Sequence, residues 1–273
     1  MASTESVPQS RLSRDYWRLW WAATASNIGD GIRLTALPLL VATLTRDPVV
    51  VTGVTAATTI PWIMFALPAG ALVDRFDRKR IMIGGQVVRG VALALLTVTI
   101  AMGGETVVLI YAVGFIIGLG EVFVDSSLQA AIPMLAGDAD LERANSNLLA
   151  VEFIANDAIG GPVGAWLFAL LAAVPFGVDA VSFLLAAILI CQIRSPLQQP
   201  GDGPAMPTGK AIKEGLTFVR DHRLLRGLAL SVSGANFALG GGGALLVLLA
   251  LDEIGASELQ FGLIVGFGAA GGF

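Results

Sequence analysis

The chain has few of the side chains on which most enzymes and metal proteins depend. It contains one cysteine, Cys191, one histidine, His222, and only 14% charged residues among 273. A single cysteine inside an apolar run excludes a disulfide framework. The sequence has no cluster of His and Cys with metal-ligand spacing, and its one histidine lies in a basic, solvated stretch without a nucleophile to activate. The composition therefore predicts no metal, no cofactor and no enzymatic activity.

Apolar residues are abundant instead. They make up 55% of the chain, and the mean hydropathy of +0.76 is far above that of soluble domains. The apolar runs are continuous rather than alternating, and they have the length that a helix needs to cross a bilayer, about 20 residues. We therefore predict an all-α polytopic membrane bundle, with spans at 18–45, 50–73, 81–101, 106–132, 148–172, 176–193 and 227–251 and an eighth that begins near 259.

The basic residues predict the orientation of this bundle. Of the 17 Lys and Arg side chains, 14 fall on one side of the predicted spans, and only Arg46 falls on the other. Because Lys and Arg accumulate in cytoplasmic loops, we expect a multi-pass protein of the plasma (inner) membrane with a cytoplasmic N-terminus. Residues 1–17 are polar and basic, so they predict a cytoplasmic segment rather than a signal peptide.

A long polar connector, residues 194–226, divides the chain. Its Pro/Gly-rich opening predicts a flexible linker, and residues 210–226 predict an amphipathic helix on the inner membrane surface. The predicted domains are thus a six-helix bundle at 18–193, this cytoplasmic linker, and an incomplete second bundle at 227–273. The residues after 259 are too few to cross a bilayer at about 1.5 Å each, so we expect the chain to end inside a helix.

The most informative segment is the charged turn between the second and third spans. Gly70 and Asp74 lie four apart and share a helix face, on which the glycine would admit a neighbouring helix. An aspartate at a helix C-terminus opposes the helix dipole, so Asp74 would need the N-terminus of another helix or an arginine as its partner. The alternative is a basic cluster that only fixes the topology. The segment resembles the loop signature of the major facilitator superfamily of secondary transporters, with Asp77 in place of a glycine; the matching residues are Gly70, Leu72, Asp74, Arg75, Arg78 and Lys79.

Other stretches resemble the drug, macrolide and siderophore exporters of that superfamily. In span five, Gly161, Pro162 and Gly164 resemble the helix-break signature of those exporters, although Asp157 stands where the signature has a glycine. The arginine that many proton-coupled relatives carry early in span four is absent. The remaining matches are Ser26 to Asp30 in span one, Ile132 to Leu135 with Arg143 to Ser146 after span four, Asp179 to Phe183 in span six, and Glu214 to Leu225 in the linker.

The resemblance implies the first half of a twelve-span transporter, followed by the start of its second half. It implies proton-coupled efflux of amphipathic small molecules by alternating access, with Asp125 of span four paired to Arg78 as a gate latch. The expected partners are therefore a small-molecule substrate, protons, the lipid bilayer and the missing C-terminal half, and not nucleic acid. Two alternatives stay open: an uptake permease of the same superfamily, and a receptor or assembly protein that uses the scaffold without transport.

Ionisable residues within the spans are the candidates for coupling, because each costs roughly 2.5–3.5 kcal/mol at the bilayer centre. Asp30 and Arg33 lie three apart on one helix face. They form either a structural ion pair or a site at which substrate or a proton competes for Asp30. Glu121 is the second candidate and has no basic residue near it in sequence. Asp157 is a further candidate that could instead support the helix break, and Arg89 is expected to snorkel or to pair with another helix.

Overall fold

Ten α-helices occupy the residues that this computed structural model describes, 12–198 and 208–270, and no strand occurs among those residues. Short π-helical segments, Ile154–Gly160 and Leu249–Glu253, continue two of the helices. The predicted all-α fold is confirmed. The helices are α1 (Arg14–Leu44), α2 (Pro48–Val73), α3 (Arg78–Ala101), α4 (Val107–Ala136), α5 (Leu141–Phe153), α6 (Gly161–Leu170), α7 (Val174–Cys191), α8 (Thr208–Asp221), α9 (Arg223–Leu248) and α10 (Glu258–Ala270).

Five helices are long and apolar enough to cross a membrane: α2, α3, α4, α7 and the continuous helix Leu141–Leu170 that contains α5 and α6. Helix α1 has 31 residues and packs among them. Buried apolar side chains form two groups, one around the C-terminal half of α1 and the other around its N-terminal half. Buried polar side chains of α1 lie between these groups, so the bundle places its charged residues near the middle of its length.

Side-chain caps determine where several helices begin. Ser13, Asp47 and Thr106 each accept a hydrogen bond from a backbone N–H in the first turn of α1, α2 and α4. Asp77 has the same role for α3, since its carboxylate accepts the backbone N–H of Lys79 at 2.9 Å. The aspartate that replaces the glycine of the loop signature therefore has a local structural purpose.

The helix of span five changes geometry where a break is predicted, but it continues from Leu141 to Leu170. The helix becomes π-helical from Ile154 to Gly160, and α6 begins at Gly161 with Pro162 in its first turn. Pro162 has no backbone N–H to donate to the preceding turn, which agrees with the change of helix geometry just before it. Asp157 lies within the π-helical segment, and its side chain is outside the described residues.

Glycines allow this fifth span to lie directly against α1. A Cβ added at Gly31 would stand 2.6 Å from the backbone oxygen of Asn156, and one added at Gly164 would collide with the backbone oxygen of Ile32. Such close approach of two backbones requires residues without side chains. The glycines of both helices are therefore packing residues at the wall of the bundle.

The loop signature holds the beginning of the linker against the bundle. The ammonium of Lys79 donates to the backbone oxygens of Cys191, at 2.9 Å, and Ile193, at 2.7 Å. These oxygens lie at the C-terminus of α7, where a cation is favoured by the helix dipole. Arg78 donates to the backbone oxygen of Leu197 at 3.2 Å.

Asp15 of α1 also holds the beginning of the linker, at residues 194 and 195. Its carboxylate accepts the backbone N–H groups of Arg194, at 3.0 Å, and Ser195, at 2.7 Å, together with the Ser195 hydroxyl at 2.6 Å. Burial disfavours the charged form of this carboxyl group. The hydrogen bonds from Ser195, with those from Arg18 and Arg194, outweigh that effect and lower the pKa of Asp15 to about 2.

The predicted pair between Arg78 and Asp125 is wrong. Arg78 donates to the backbone oxygen of Ala130 at 3.0 Å, and its ion pair is with Asp74 at 3.5 Å. Backbone oxygens in the C-terminal part of α4 and in the linker attract this guanidinium. Asp125 lies more than one helical turn earlier on α4 and lines the cavity described below.

The expected helix contact at Gly70 is not found within the described part of the chain. No atom lies within 4 Å of a Cβ placed at Gly70, and Asp74 and Arg75 are exposed. Of the two partners expected for Asp74, the structure has the nearby arginine, since Arg78 lies 3.5 Å away. Gly70 itself is therefore free of helix contacts among these residues.

The linker helix is shorter than predicted. We expected one helix over residues 210–226, but α8 ends at Asp221 and α9 begins at Arg223. Between them His222 has an extended backbone, with φ −90° and ψ 105°, which breaks the helix. The basic residues from Arg223 onward therefore belong to the first turn of the seventh predicted span.

Replacement of Gly164 by alanine should destabilise the bundle, because the new Cβ meets backbone that cannot rotate away. Overpacking of this kind typically costs about 1–3 kcal/mol. Gly84→Ala is the matched control, since no atom lies within 4 Å of a Cβ at that position of α3. In a thermal-unfolding assay on the detergent-solubilised protein, we expect a lower midpoint for Gly164→Ala alone. Equal midpoints for the two variants would contradict the packing described here.

Candidate functional site

A cavity of about 740 Å³ lies inside the bundle, between α1, α3, α4 and the fifth span. It extends from the middle of α1 to the end of the bundle where α4 finishes and α5 starts. Its size is in the range of drug-sized ligand sites. The polar residues that line it are Ser26, Asn27, Asp30, Arg33, Gln86, Glu121, Asp125, Ser126, Gln129, Asn145, Glu152 and Asn156.

The opposite end of the bundle is closed. There the apolar group around the C-terminal half of α1 includes Val247 and Leu248 of α9 and Phe261 of α10. An ion pair of 3.1 Å between Arg46 and Asp252 joins the loop after α1 to the segment after α9. The cavity therefore does not extend to this end of the bundle, which apolar side chains fill.

A cluster of buried charges forms the deep wall of the cavity. Asp30 accepts hydrogen bonds from Arg33 of its own helix and from Arg89 of α3, each at 2.6 Å to the same carboxylate oxygen. Arg33 also donates to Asp179 of α7 at 3.1 Å. All four side chains are nearly inaccessible, with Asp179 fully buried. The cluster thus ties three helices together through charge-assisted hydrogen bonds.

Glu121 of α4 lies at the edge of this cluster. Its carboxylate is 3.6 Å from Arg89 and 3.8 Å from Arg33, and 31% of the side chain is exposed. The expectation that no basic residue lies near Glu121 holds only along the sequence, because helix packing brings two arginines to it. Asp125 follows one turn later on the same helix and also lines the cavity.

Neutral groups complete the environment of Asp30. The Ser26 hydroxyl donates to the second carboxylate oxygen at 3.4 Å, and the Gln86 amide donates to Ser26 at 3.3 Å. The guanidinium of Arg89 lies over the ring of Phe183, 3.9 Å from its centroid, which is a cation–π contact. Arg89 is therefore the interhelical partner that was one of its two expected roles.

The structure brings together some of the predicted site residues and separates others. Asp30, Arg33 and Glu121 meet at the cavity, and the expected pairing of Asp30 with Arg33 is confirmed. The loop residues lie at the end of the bundle and not at this site. Asp179 was missed as a site residue, although the rule that intramembrane ionisable residues have partners applies to it equally. Gln86 had no sequence signal, because an isolated amide in an apolar helix has no characteristic spacing.

A family model described as "Transmembrane secretion effector" matches residues 7–273. The chain belongs to that family of the major facilitator superfamily. The membrane-length helices and the cavity agree with this assignment, and the protein is a multi-pass membrane protein.

Characterised exporters are among the similar proteins. Macrolide efflux protein A of Streptococcus pyogenes is 24% identical over 266 residues, which is 92% of this chain and 64% of that protein. Multidrug efflux pump Tap of Mycobacterium tuberculosis is 30% identical over 226 residues, or 77% of this chain and 52% of that protein. Macrolide efflux protein A of Enterococcus faecalis is 26% identical over 222 residues, or 76% of this chain and 67% of that protein. The chain thus spans between about half and two thirds of the length of these relatives.

Removal of two opposite charges from the cluster together should cost less stability than the sum of the two single removals. Arg89→Gln leaves Asp30 with one fewer counter-charge, and Asp30→Asn leaves two arginines short of theirs. Breaking a buried pair in this way typically costs about 3–5 kcal/mol. We expect each single variant to lower the thermal midpoint by several degrees, and the double variant to lower it by clearly less than the two losses combined.

Arg75→Gln, on the exposed loop, is the control for loss of a guanidinium and should leave the midpoint unchanged. Strict additivity of the two cluster variants would show that Asp30 and Arg89 do not stabilise each other.

Proposed function

We propose that this protein is a secondary active transporter that exports amphipathic small molecules by alternating access. The observation that carries the proposal is the cavity of about 740 Å³ with a charged inner wall. Both apolar and polar side chains line it, as expected for a site that accepts amphipathic compounds. The names of the relatives support the direction and the class of substrate, since they are efflux proteins for macrolides or for several drugs.

The orientation of the cavity supports export. We place the N-terminus, the loop 74–80 and the linker in the cytoplasm, because most basic residues lie on that side. The cavity opens at this same end of the bundle, so the conformation described here would load substrate from the cytoplasm. Release to the outside requires α9 to separate from α1 and α2, and α10 to separate from α6, at the closed end.

We further propose that protons drive this cycle and that Glu121 accepts them. Of the two candidate carboxylates, Asp30 is buried and forms ion pairs with two guanidinium groups at 2.6 Å, whereas Glu121 is partly exposed to the cavity. A proton from the cavity therefore reaches Glu121 first. The charged groups around it are Asp30 and Arg33 on α1, Arg89 on α3, Asp125 on α4 and Glu152 on α5.

In this proposal Asp30 has a different role from the one first expected of it. It anchors Arg33 and Arg89, which in turn face Glu121 across the cavity wall. Protonation of Glu121 removes one negative charge from the cluster and loosens its attachment to α1 and α3. This change couples the proton to the packing of α4, without a movement of Asp30 itself.

The loop residues are proposed to act in gating with the C-terminal half of the transporter. Asp74 and Arg75 are exposed and Gly70 is half-buried at the end of the bundle where this loop lies, and we propose that this surface contacts another helix. Arg78 and Lys79 are already engaged with α4 and the linker. The change of helix geometry before Gly161 would supply the flexibility that α6 needs when α10 moves, since α6 and α10 pack together.

The proton role is tested by export from energised cells that express the full-length protein, preloaded with a radiolabelled macrolide. Glu121→Gln should abolish the export that a proton gradient drives, while protein levels stay normal. Glu142→Gln is the matched control, because Glu142 is exposed on α5 and outside the cavity. Addition of a protonophore should reduce export by the wild type to the level of Glu121→Gln.

Two results would overturn parts of this proposal. If Glu121→Gln exports at the wild-type rate and Asp30→Asn does not, the proton role belongs to Asp30. If both variants retain gradient-driven export, proton coupling through this cluster is wrong. If cells that express the wild-type protein accumulate the macrolide faster than cells that lack the protein, the protein is an uptake permease.

A further inference from the structure

We propose that the cavity selects organic cations, with Glu121 and Asp125 of α4 as the counter-charges for a positively charged nitrogen of the substrate. This inference names the substrate class of the site above, and its physiological meaning rests on the proposed function. The binding step itself can be measured without transport.

The first argument is the balance of charge at the cavity wall. The two buried guanidinium groups, of Arg33 and Arg89, are matched by the carboxylates of Asp30 and Asp179. The carboxylates of Glu121 and Asp125, which line the cavity, are in excess of this balance. Arg33 is itself engaged by Asp30 at 2.6 Å and by Asp179 at 3.1 Å. The guanidinium groups therefore already have carboxylate partners. The cavity wall presents excess negative charge to a ligand that enters. In a site of low dielectric constant, such an excess attracts cations and repels anions.

The second argument is the availability of the α4 carboxylates. Glu121 is 3.6–3.8 Å from its arginines, at the long end of ion-pair distances, and 31% of its side chain is exposed. Asp125 also faces the cavity, and Arg78, which the sequence had suggested as its partner, is bonded to Ala130 instead. Both carboxylates thus keep acceptor capacity for an incoming N–H or quaternary nitrogen.

The third argument is independent of the carboxylates. Gln86 is only 2% exposed and lines the cavity, and its side-chain oxygen has no hydrogen-bond donor among the described residues. A buried acceptor without a donor is costly, so a donor from a ligand would be favoured there. Asn156 presents a second acceptor oxygen of this kind at the same cavity. Unused acceptors suit an ammonium group, which offers only donors, and not a carboxylate or phosphate.

The rest of the lining fits the body of an amphipathic cation. Trp62 of α2 lines the cavity, and an indole face attracts a cation that lies over it. Apolar side chains form the remaining surface, which would bury the hydrocarbon part of the molecule; they include Leu19, Leu34, Val124, Leu128, Leu148 and Leu149. Selectivity for charge then arises from attraction to cations together with repulsion of anions by the same carboxylates.

The test uses two probes of nearly equal size and shape and opposite charge, tetraphenylphosphonium and tetraphenylborate. Binding of each radiolabelled ion to the purified full-length protein in detergent is measured by equilibrium dialysis, with protein-free micelles as the blank. We expect the wild type to bind the phosphonium at least tenfold more tightly than the borate. The double variant Glu121→Gln/Asp125→Asn should lose at least tenfold in affinity for the phosphonium and gain affinity for the borate.

The gain for the borate separates loss of charge from loss of folding, since an unfolded variant would bind neither ion specifically. Glu142→Gln is the control for the same chemical change outside the cavity and should bind both ions as the wild type does. Equal binding of the two ions by the wild type, or an unchanged preference in the double variant, would overturn the inference. If the protein binds the two ions selectively but cells do not export the macrolide, the proposed function is refuted and this inference is not. If cells export the macrolide but the protein binds both ions equally, this inference is refuted and the proposed function is not.

Discussion

The bundle depends on the carboxylate of Asp30, which binds two guanidinium groups through one oxygen atom. Those groups belong to α1 and α3, and through Arg33 the connection continues to α7. An ion cluster of this kind adds little net stability when complete, because desolvation offsets most of the attraction. Its importance is positional: any helix rotation that separates one member leaves an unpaired charge in an apolar environment. The cluster therefore restricts the bundle to a few discrete arrangements of α1, α3 and α7, with Glu121 of α4 at its edge.

Much of the fold followed from the sequence because the bilayer constrains it so strongly. Apolar runs of the length of a span predicted most of the helices near their observed bounds, although the fifth begins at Leu141 and not at 148. The pair of Asp30 with Arg33 followed from a spacing of three on one helix. Contacts between helices were predicted less well. The arginines near Glu121 come from α1 and α3, and the sequence spacing of α4 contains no information about them. For the same reason the buried amide of Gln86 could not be anticipated.

The loop signature illustrates how a family pattern can predict residues without predicting their contacts. Arg78 was expected to bind a carboxylate on α4, yet it binds backbone oxygens of α4 and of the linker. Every residue carries a backbone oxygen, so these acceptors leave no trace in residue identities. A loop signature interpreted only as pairs of side chains therefore misses the backbone acceptors that an arginine can use. The replacement of a glycine by Asp77 has a similar explanation, since its carboxylate caps backbone N–H groups of α3.

The hydrogen bonds that hold residues 192–198 against the bundle limit how far the two halves of such a transporter can move apart. Gln198 is bonded to the backbone oxygen of Asp74 at 2.9 Å, and α8 begins at Thr208. The chain between these points is a tether whose fully extended length is roughly 33 Å at about 3.3 Å per residue. The start of α8 must remain within that radius of the end of α2 as long as these hydrogen bonds hold. Release of Gln198 from Asp74 and of Leu197 from Arg78 would lengthen the tether, so these two contacts set the reach of the linker.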